Sequence, residues 1–160
     1  MTKRTAKKPS RRRANFRTIL VPVDFSKCSR ASLDYARQFA AQHGSELILL
    51  HVVEPIAYPT ELGFPSLGAI PPHSDYERAG RKHLAQWHKE MAGSGAKVNA
   101  KLRVGQPYFE ITRAAKELAV DLIIISTHGH TGLKHVFLGS TAERVVRHAE
   151  CPVLTLRCRK

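Results

Sequence analysis

The sequence predicts a doubly wound α/β fold built on a parallel sheet, with helices on both faces. Two observations predict it. Short apolar runs alternate along the chain with helical patterns, in the order β-α-β-α-β-α-β-α-β. Strands separated by helices run parallel and connect by right-handed crossovers. The run Glu46-Leu47-Ile48-Leu49-Leu50-His51-Val52-Val53 is also nearly unbroken in its apolar character. That pattern suits a strand covered on both faces. At 160 residues the chain is long enough for one domain with a proper core.

The first strand is Arg17-Thr18-Ile19-Leu20-Val21-Pro22-Val23. Pro22 lacks an N–H for the ladder, so it belongs at the strand's end or beside a bulge. A helix follows from Ser29, a good N-cap, with Ala31, Leu33, Tyr35, Ala36, Phe39 and Ala40 on its apolar face and Gly44 as its stop. The second strand is residues 46–53. Residues 54–73 carry five prolines and two glycines, which forbids a long helix or a central strand and reads as a long surface loop. Ser74 opens a second helix through about Ala92, with sparse apolar positions at Ala79, Leu84, Trp87 and Met91, so it should lie on the surface. Residues 97–104 alternate polar and apolar, as an edge strand does. A third helix runs from Pro107, a favoured first position, to Leu118. Asp121 to Ile125 form the fourth strand, a fourth helix follows Ser140, and Pro152-Val153-Leu154-Thr155-Leu156 closes the sheet.

Composition bounds the function. With 42% hydrophobic and 24% charged residues, the chain reads as a soluble globular protein. No apolar run approaches the ~18 residues of a membrane span. The basic N-terminus has no apolar segment behind it, unlike a secretory signal, so the expected compartment is the cytoplasm. The cysteines Cys28, Cys151 and Cys158 form no CxxC pair or zinc spacing, and an odd count there points to reduced thiols. Of a net charge of +13, eight positive charges fall in the first 17 residues, which contain no acid. Residues 1–15 are expected to be a disordered tail. Such a tail binds nucleic acid or an anionic membrane surface electrostatically, or serves only as a solubilising extension.

Ligands of doubly wound folds bind beyond the carboxyl ends of the strands, where strand order reverses. Two loops compete there, Asp24-Phe25-Ser26 and residues 126–140. In the second, Ser126-Thr127-His128-Gly129 is followed after nine residues by Gly139-Ser140-Thr141 at a helix start. Unpaired N–H groups and the helix dipole favour an anion at such a terminus. Ser140 and Thr141 can cap the helix or donate to phosphate oxygens, and Gly129 and Gly139 let the backbone approach a ligand. Asp24 can accept from ribose hydroxyls or hold a metal ion bridged to phosphate, or can simply cap its own turn. His128 and His130 flank Gly129, but His-x-His without further ligands does not define a metal site. There is no P-loop, no dinucleotide fingerprint and no nucleophile elbow, and no catalytic residue is assigned.

Four stretches in order resemble the universal stress protein family. They are residues 19–26 (Ile-Leu-Val-Pro-Val-Asp-Phe-Ser), Leu49-Leu50-His51-Val52-Val53, the segment from Ser126 through Gly132-Leu133 and Leu138-Gly139-Ser140-Thr141 to Val146, and Cys151-Pro152-Val153-Leu154. The resemblance covers about residues 16–158. It implies a five-stranded sheet of order 3-2-1-4-5, of the adenine-nucleotide-binding kind, and a homodimer through Val153, Leu154, Thr155 and Leu156. The ATP-binding branch of the family carries Gly-x-x-Gly, nine residues, Gly-Ser/Thr. Here Gly129, Gly139 and Ser140 match it, and Ser126 stands where the first glycine would be. The same match implies Asp24 near ribose or adenine, Val52 and Pro22 with Val23 at the adenine pocket, and Thr127, His128, His130, Gly132 and Thr141 around the phosphates. The function implied is ATP binding, with or without Mg2+, by a stress-response regulator. The alternatives are a nucleotide-free dimeric interaction protein and a slow ATPase, either with its basic tail on nucleic acid.

Overall fold

The computed structural model describes residues 16–55, 73–92, 96–128 and 138–157. Five strands form one parallel sheet: β1 (Thr18–Pro22), β2 (Glu46–Val53), β3 (Val98–Val104), β4 (Leu122–Ser126) and β5 (Val153–Leu156). Their order is β3-β2-β1-β4-β5. The chain steps outward from β1 to β2 and β3, then crosses to the other side of β1 for β4 and β5. The reversal between β1 and β4 is the switch point at which such sheets bind ligands.

Alternation along each strand splits the core in two. Ile19, Val21, Leu47, Leu49, Leu122 and Ile124 meet α1 (Lys27–His43) and α2 (His73–Ala92) on one face. Leu20, Ile48, Leu50, Ile123 and Ile125 meet α3 (Pro107–Glu117) and α4 (Ser140–His148) on the other. Neighbours in sequence thus point to opposite faces, as a period of two requires. Most of these side chains are fully buried, each contributing about 1.5–3 kcal/mol relative to exposure.

Pro22 is the last residue of β1, where its missing donor costs the ladder little. β3 is an edge strand paired only with β2 among the described residues, and most of its residues keep solvent contact. Asp121 precedes β4 rather than opening it. Its carboxylate accepts from the N–H groups of Arg17 and Thr18, both at 2.9 Å, tying the start of β1 to the start of β4. The first helix begins earlier than expected. Ser26, not Ser29, is its N-cap, with Ser26 Oγ accepting from the Ser29 N–H at 3.1 Å. The reason lies upstream: Asp24 Oδ1 accepts from the Ser26 N–H at 3.0 Å, and this turn delivers Ser26 in the extended conformation a cap needs. The helix ends at Gly44, whose φ of +67° suits a residue without Cβ.

On α2 the buried positions are Gly80, Leu84 and Met91, with Trp87 half-buried and Ala79 exposed. The helix is therefore more than a surface cover. Cys28 is disulfide-bonded and Cys151 is free, so the expectation of reduced thiols does not hold for Cys28. Among the described residues no helix is long and apolar enough to cross a membrane. The basic tail over residues 1–15, most of the loop over 54–73, and Gly129, His130 and Gly132 lie outside the described residues.

Candidate functional site

At the switch point, β1 and β4 end side by side and their chains diverge. After β1, Val23 continues the sheet briefly, its N–H donating to Leu50 O at 2.8 Å. Asp24 then makes its turn, and Phe25 takes a φ of +64° before the α1 cap. After β4, the Thr127 N–H donates to Leu156 O at 2.9 Å, and Ser126 Oγ donates to His128 O at 2.9 Å. Thr127 Oγ1 lies 2.9 Å from His128 Nδ1, which fixes the imidazole relative to the loop.

Gly139 closes that loop. Its N–H donates to Thr127 O at 2.6 Å, so the two ends of the 128–138 segment are stitched together. A Cβ on Gly139 would lie 2.9 Å from that same oxygen. The φ of Gly139 is −65°, an ordinary value, so the glycine serves close approach of backbone to backbone rather than a special dihedral. Gly139 is also the N-cap of α4, and as a glycine it has no side chain to cap this terminus. Ser140 and Thr141 lie inside the first turn instead of capping it. Among the described residues the first-turn N–H groups have no side-chain acceptor, and they carry the positive end of the helix dipole.

Between the two divergent loops lies a cavity of about 390 Å³, within the usual range for small-ligand sites. Leu50, Val52, Pro107, Ile111, Ile125 and Ala142 make its apolar walls. Pro22, Val23, Asp24 and Ser29 line it from β1 and the start of α1, and Glu54 from the end of β2. Ser126, Thr127, His128, Gly139, Ser140 and Thr141 line the remaining side. The chamber is thus apolar along α3, with carboxylates toward the β1 and β2 ends and an uncapped helix terminus with hydroxyls toward β4.

The residues expected from sequence at the site, outside the undescribed Gly129, His130 and Gly132, all line this one cavity. Sequence reasoning missed Ser29, Leu50, Glu54, Pro107, Ile111, Ile125 and Ala142. Glu54 and Pro107 follow the carboxyl ends of β2 and β3, so the strand-end rule was a usable signal for both. The apolar wall residues carry no such mark, because in sequence they are indistinguishable from core. Among the described residues no group of three His, Cys, Asp or Glu could hold a metal ion.

A model of the universal stress protein family matches residues 15–157. The chain belongs to that family. A universal stress protein of Methanocaldococcus jannaschii is 31% identical over 143 residues, covering 89% of this chain and 82% of the other. The structure of universal stress protein UspA from Lactobacillus plantarum superposes with a TM-score of 0.77 at 29% identity, over 91% of this chain and 100% of that one. The five-stranded sheet of order 3-2-1-4-5 with four helices is therefore the universal stress protein fold. Two further structures share the fold at lower identity. One is a universal stress protein in complex with cAMP, 22% identical with a TM-score of 0.67 over 89% of this chain and 98% of that one. The other is the universal stress protein from Archaeoglobus fulgidus in complex with dAMP, 20% identical with a TM-score of 0.63 over 88% and 98%.

Proposed function

We propose that this universal stress protein binds an adenine nucleotide in the switch-point cavity and that occupancy regulates its association with partners in the stress response. The observation that carries the reading is the polarity of the cavity. An apolar chamber suited to a purine base opens at one side onto the uncapped N-terminus of α4, flanked by the Ser140 and Thr141 hydroxyls. A helix terminus of that kind favours phosphate. Asp24 lines the cavity just past the end of β1, and a carboxylate there is of the kind that accepts from ribose hydroxyls, which supports the reading. The complexes of fold relatives with cAMP and dAMP support the ligand class. ATP is the triphosphate that the match at Gly139 and Ser140 suggests, and its Mg2+ would travel with it as a complex.

The test is direct. Purified protein is denatured and released nucleotide is identified by mass spectrometry, and the stripped protein is titrated calorimetrically with Mg-ATP and with AMP. Release of adenine nucleotide or saturable heat supports the reading. No release, and no heat at millimolar concentrations of either nucleotide, overturns it.

We also infer a homodimer through β5. Among the described residues β5 pairs only with β4, and Val153, Leu154, Thr155 and Leu156 all remain half-buried. An edge strand of this kind pairs readily with its symmetry mate. Sedimentation equilibrium at the monomer mass across micromolar concentrations would rule it out.

A further inference from the structure

Phe25 stands between Asp24 and the cap Ser26, with a backbone that a bulky aromatic residue seldom adopts. Such a conformation persists only where the surroundings impose it, and it gathers at functional sites. Here a box of rings imposes it. The Phe25 ring centroid lies 4.3 Å from that of His51, 5.2 Å from His83 and 5.3 Å from Trp87. His51 belongs to β2, and the other two to α2. His51 Nδ1 also lies 2.8 Å from Val23 O. One imidazole therefore contacts the residue before Asp24 by a hydrogen bond and the residue after it by ring packing.

Behind His51 stands Gly80, in the interior of α2. A Cβ there would lie 2.9 Å from His51 Cδ2, 3.1 Å from His51 Nε2 and 3.2 Å from Leu102 Cδ1. Glycine within a helix is costly relative to alanine. Two locally unfavourable choices, a left-handed phenylalanine and a mid-helix glycine, thus converge on the same histidine. Neither Gly80 nor His51 lines the cavity, and Asp24 does. The carboxylate of Asp24 already accepts from the Ser26 N–H, but a carboxylate offers about four acceptor positions. Where those positions face depends on the dihedrals of the chain through Phe25.

We propose that Phe25 and His51 are positioning residues that aim Asp24 at the sugar hydroxyls of the bound nucleotide, and that Gly80 keeps His51 in place. The discrimination between ribose and deoxyribose is then set partly from α2, outside the cavity. The inference rests on the nucleotide reading. It adds a prediction that reading does not make: substitutions in the box change the preference for one sugar over the other, not the grip on base and phosphate.

The experiment compares Mg-ATP with Mg-dATP by calorimetry on the full chain, with thermal melting as a check on folding. Trp87 is the only tryptophan in the chain, so its emission reports on the box itself. Wild-type protein should prefer ATP by about tenfold, the worth of a hydrogen bond to a charged group. Asp24→Asn should bring the ratio near one. Phe25→Ala and Gly80→Ala should each lower it at least threefold while dATP affinity stays within twofold, and the Trp87 emission change on ATP binding should shrink in both. Phe25→Gly separates strain from ring packing: it accepts the backbone freely but lacks the ring, and should also lose discrimination. If the ratio is unchanged in the folded Phe25 variants, or if ATP and dATP weaken equally, the box is merely structural and the proposal is wrong. Failure of wild-type protein to bind either nucleotide would instead defeat the nucleotide reading, and this inference with it.

Discussion

Gly139→Ala tests the contact that joins the end of β4 to the start of α4. At a φ of −65° alanine is conformationally acceptable, and at such positions replacing glycine stabilises by about 0.4–1 kcal/mol through the unfolded chain. The geometry predicts the opposite sign. The new Cβ would lie 2.9 Å from Thr127 O, against an ordinary contact of 3.4 Å or more. Both partners are backbone, so neither can swing aside and the loop ends must separate by roughly 0.5 Å, the strain of overpacking. That movement stretches the 2.6 Å bond from the Gly139 N–H to Thr127 O. Loss of the bond costs about 1 kcal/mol and strain about 1–3 kcal/mol. Melting should fall by roughly 5–10 °C for a domain of this size. The same shift carries the first turn of α4 out of register with bound phosphate, where each charge-assisted bond is worth about 1.5–3 kcal/mol. ATP affinity should drop about 10–100-fold, with a larger loss for Gly139→Val. Calorimetry and thermal melting with and without Mg-ATP measure both effects. An alanine variant that melts at or above the wild-type temperature and binds ATP with wild-type Kd would refute the close-approach reasoning.

Three further substitutions or probes separate folding from binding. Ser140→Ala removes the hydroxyl of an exposed first-turn residue, so stability should change by less than about 0.5 kcal/mol while calorimetry shows ATP affinity falling about tenfold. Ser126→Gly deletes the bond to His128 O and adds strand flexibility, so chemical denaturation should show a loss of about 1–2 kcal/mol with ATP affinity kept within threefold. The Cys151 thiol is held above its ordinary pKa, chiefly by burial and then by the carboxylates of Asp121 and Glu150. Its alkylation near pH ~8, followed by site-resolved mass spectrometry, should lag well behind that of an unfolded peptide cysteine; equal rates would contradict the burial.

The sheet was legible because its central strands are apolar runs too short for helices and too continuous for exposed strands. Errors cluster where a local rule has two equally good candidates. Ser26 and Ser29 both satisfy an N-cap pattern, and only the Asp24 turn decides between them. On α2 the expected face included Ala79, whereas the chain buries Gly80 against His51. A buried glycine adds nothing to hydrophobic periodicity, so no pattern could reveal it. The site divides in the same way. Its polar rim was readable, since Asp24, Ser126 and Ser140 sit where strands end and a helix begins. Its walls were not, because Leu50, Ile111, Ile125 and Ala142 look like core until sheet order places them beside the switch point. Gly139 was read as letting the backbone approach a ligand; it lines the cavity, and its missing Cβ also leaves room for the Thr127 backbone, which no sequence pattern could reveal.

Ser126 raises the question of what the first glycine of the family motif is for. Two readings are open: a glycine needed for close approach to phosphate or ribose, where serine weakens affinity, or ordinary extended strand, where serine is harmless. Ser126 is the last residue of β4 and pairs in register with Leu156. It is not among the residues of positive φ, so nothing in its dihedrals selects for glycine. Its hydroxyl donates to His128 O, where it helps hold the turn that follows β4. The steric demand of the motif falls instead on Gly139, where a single added carbon meets main chain. A serine at the first position therefore replaces flexibility by a hydrogen bond on the same turn. The extended backbone at Ser126 agrees with the harmless reading, but Ser126 also lines the cavity, so the nucleotide titration of Ser126→Gly decides between the two.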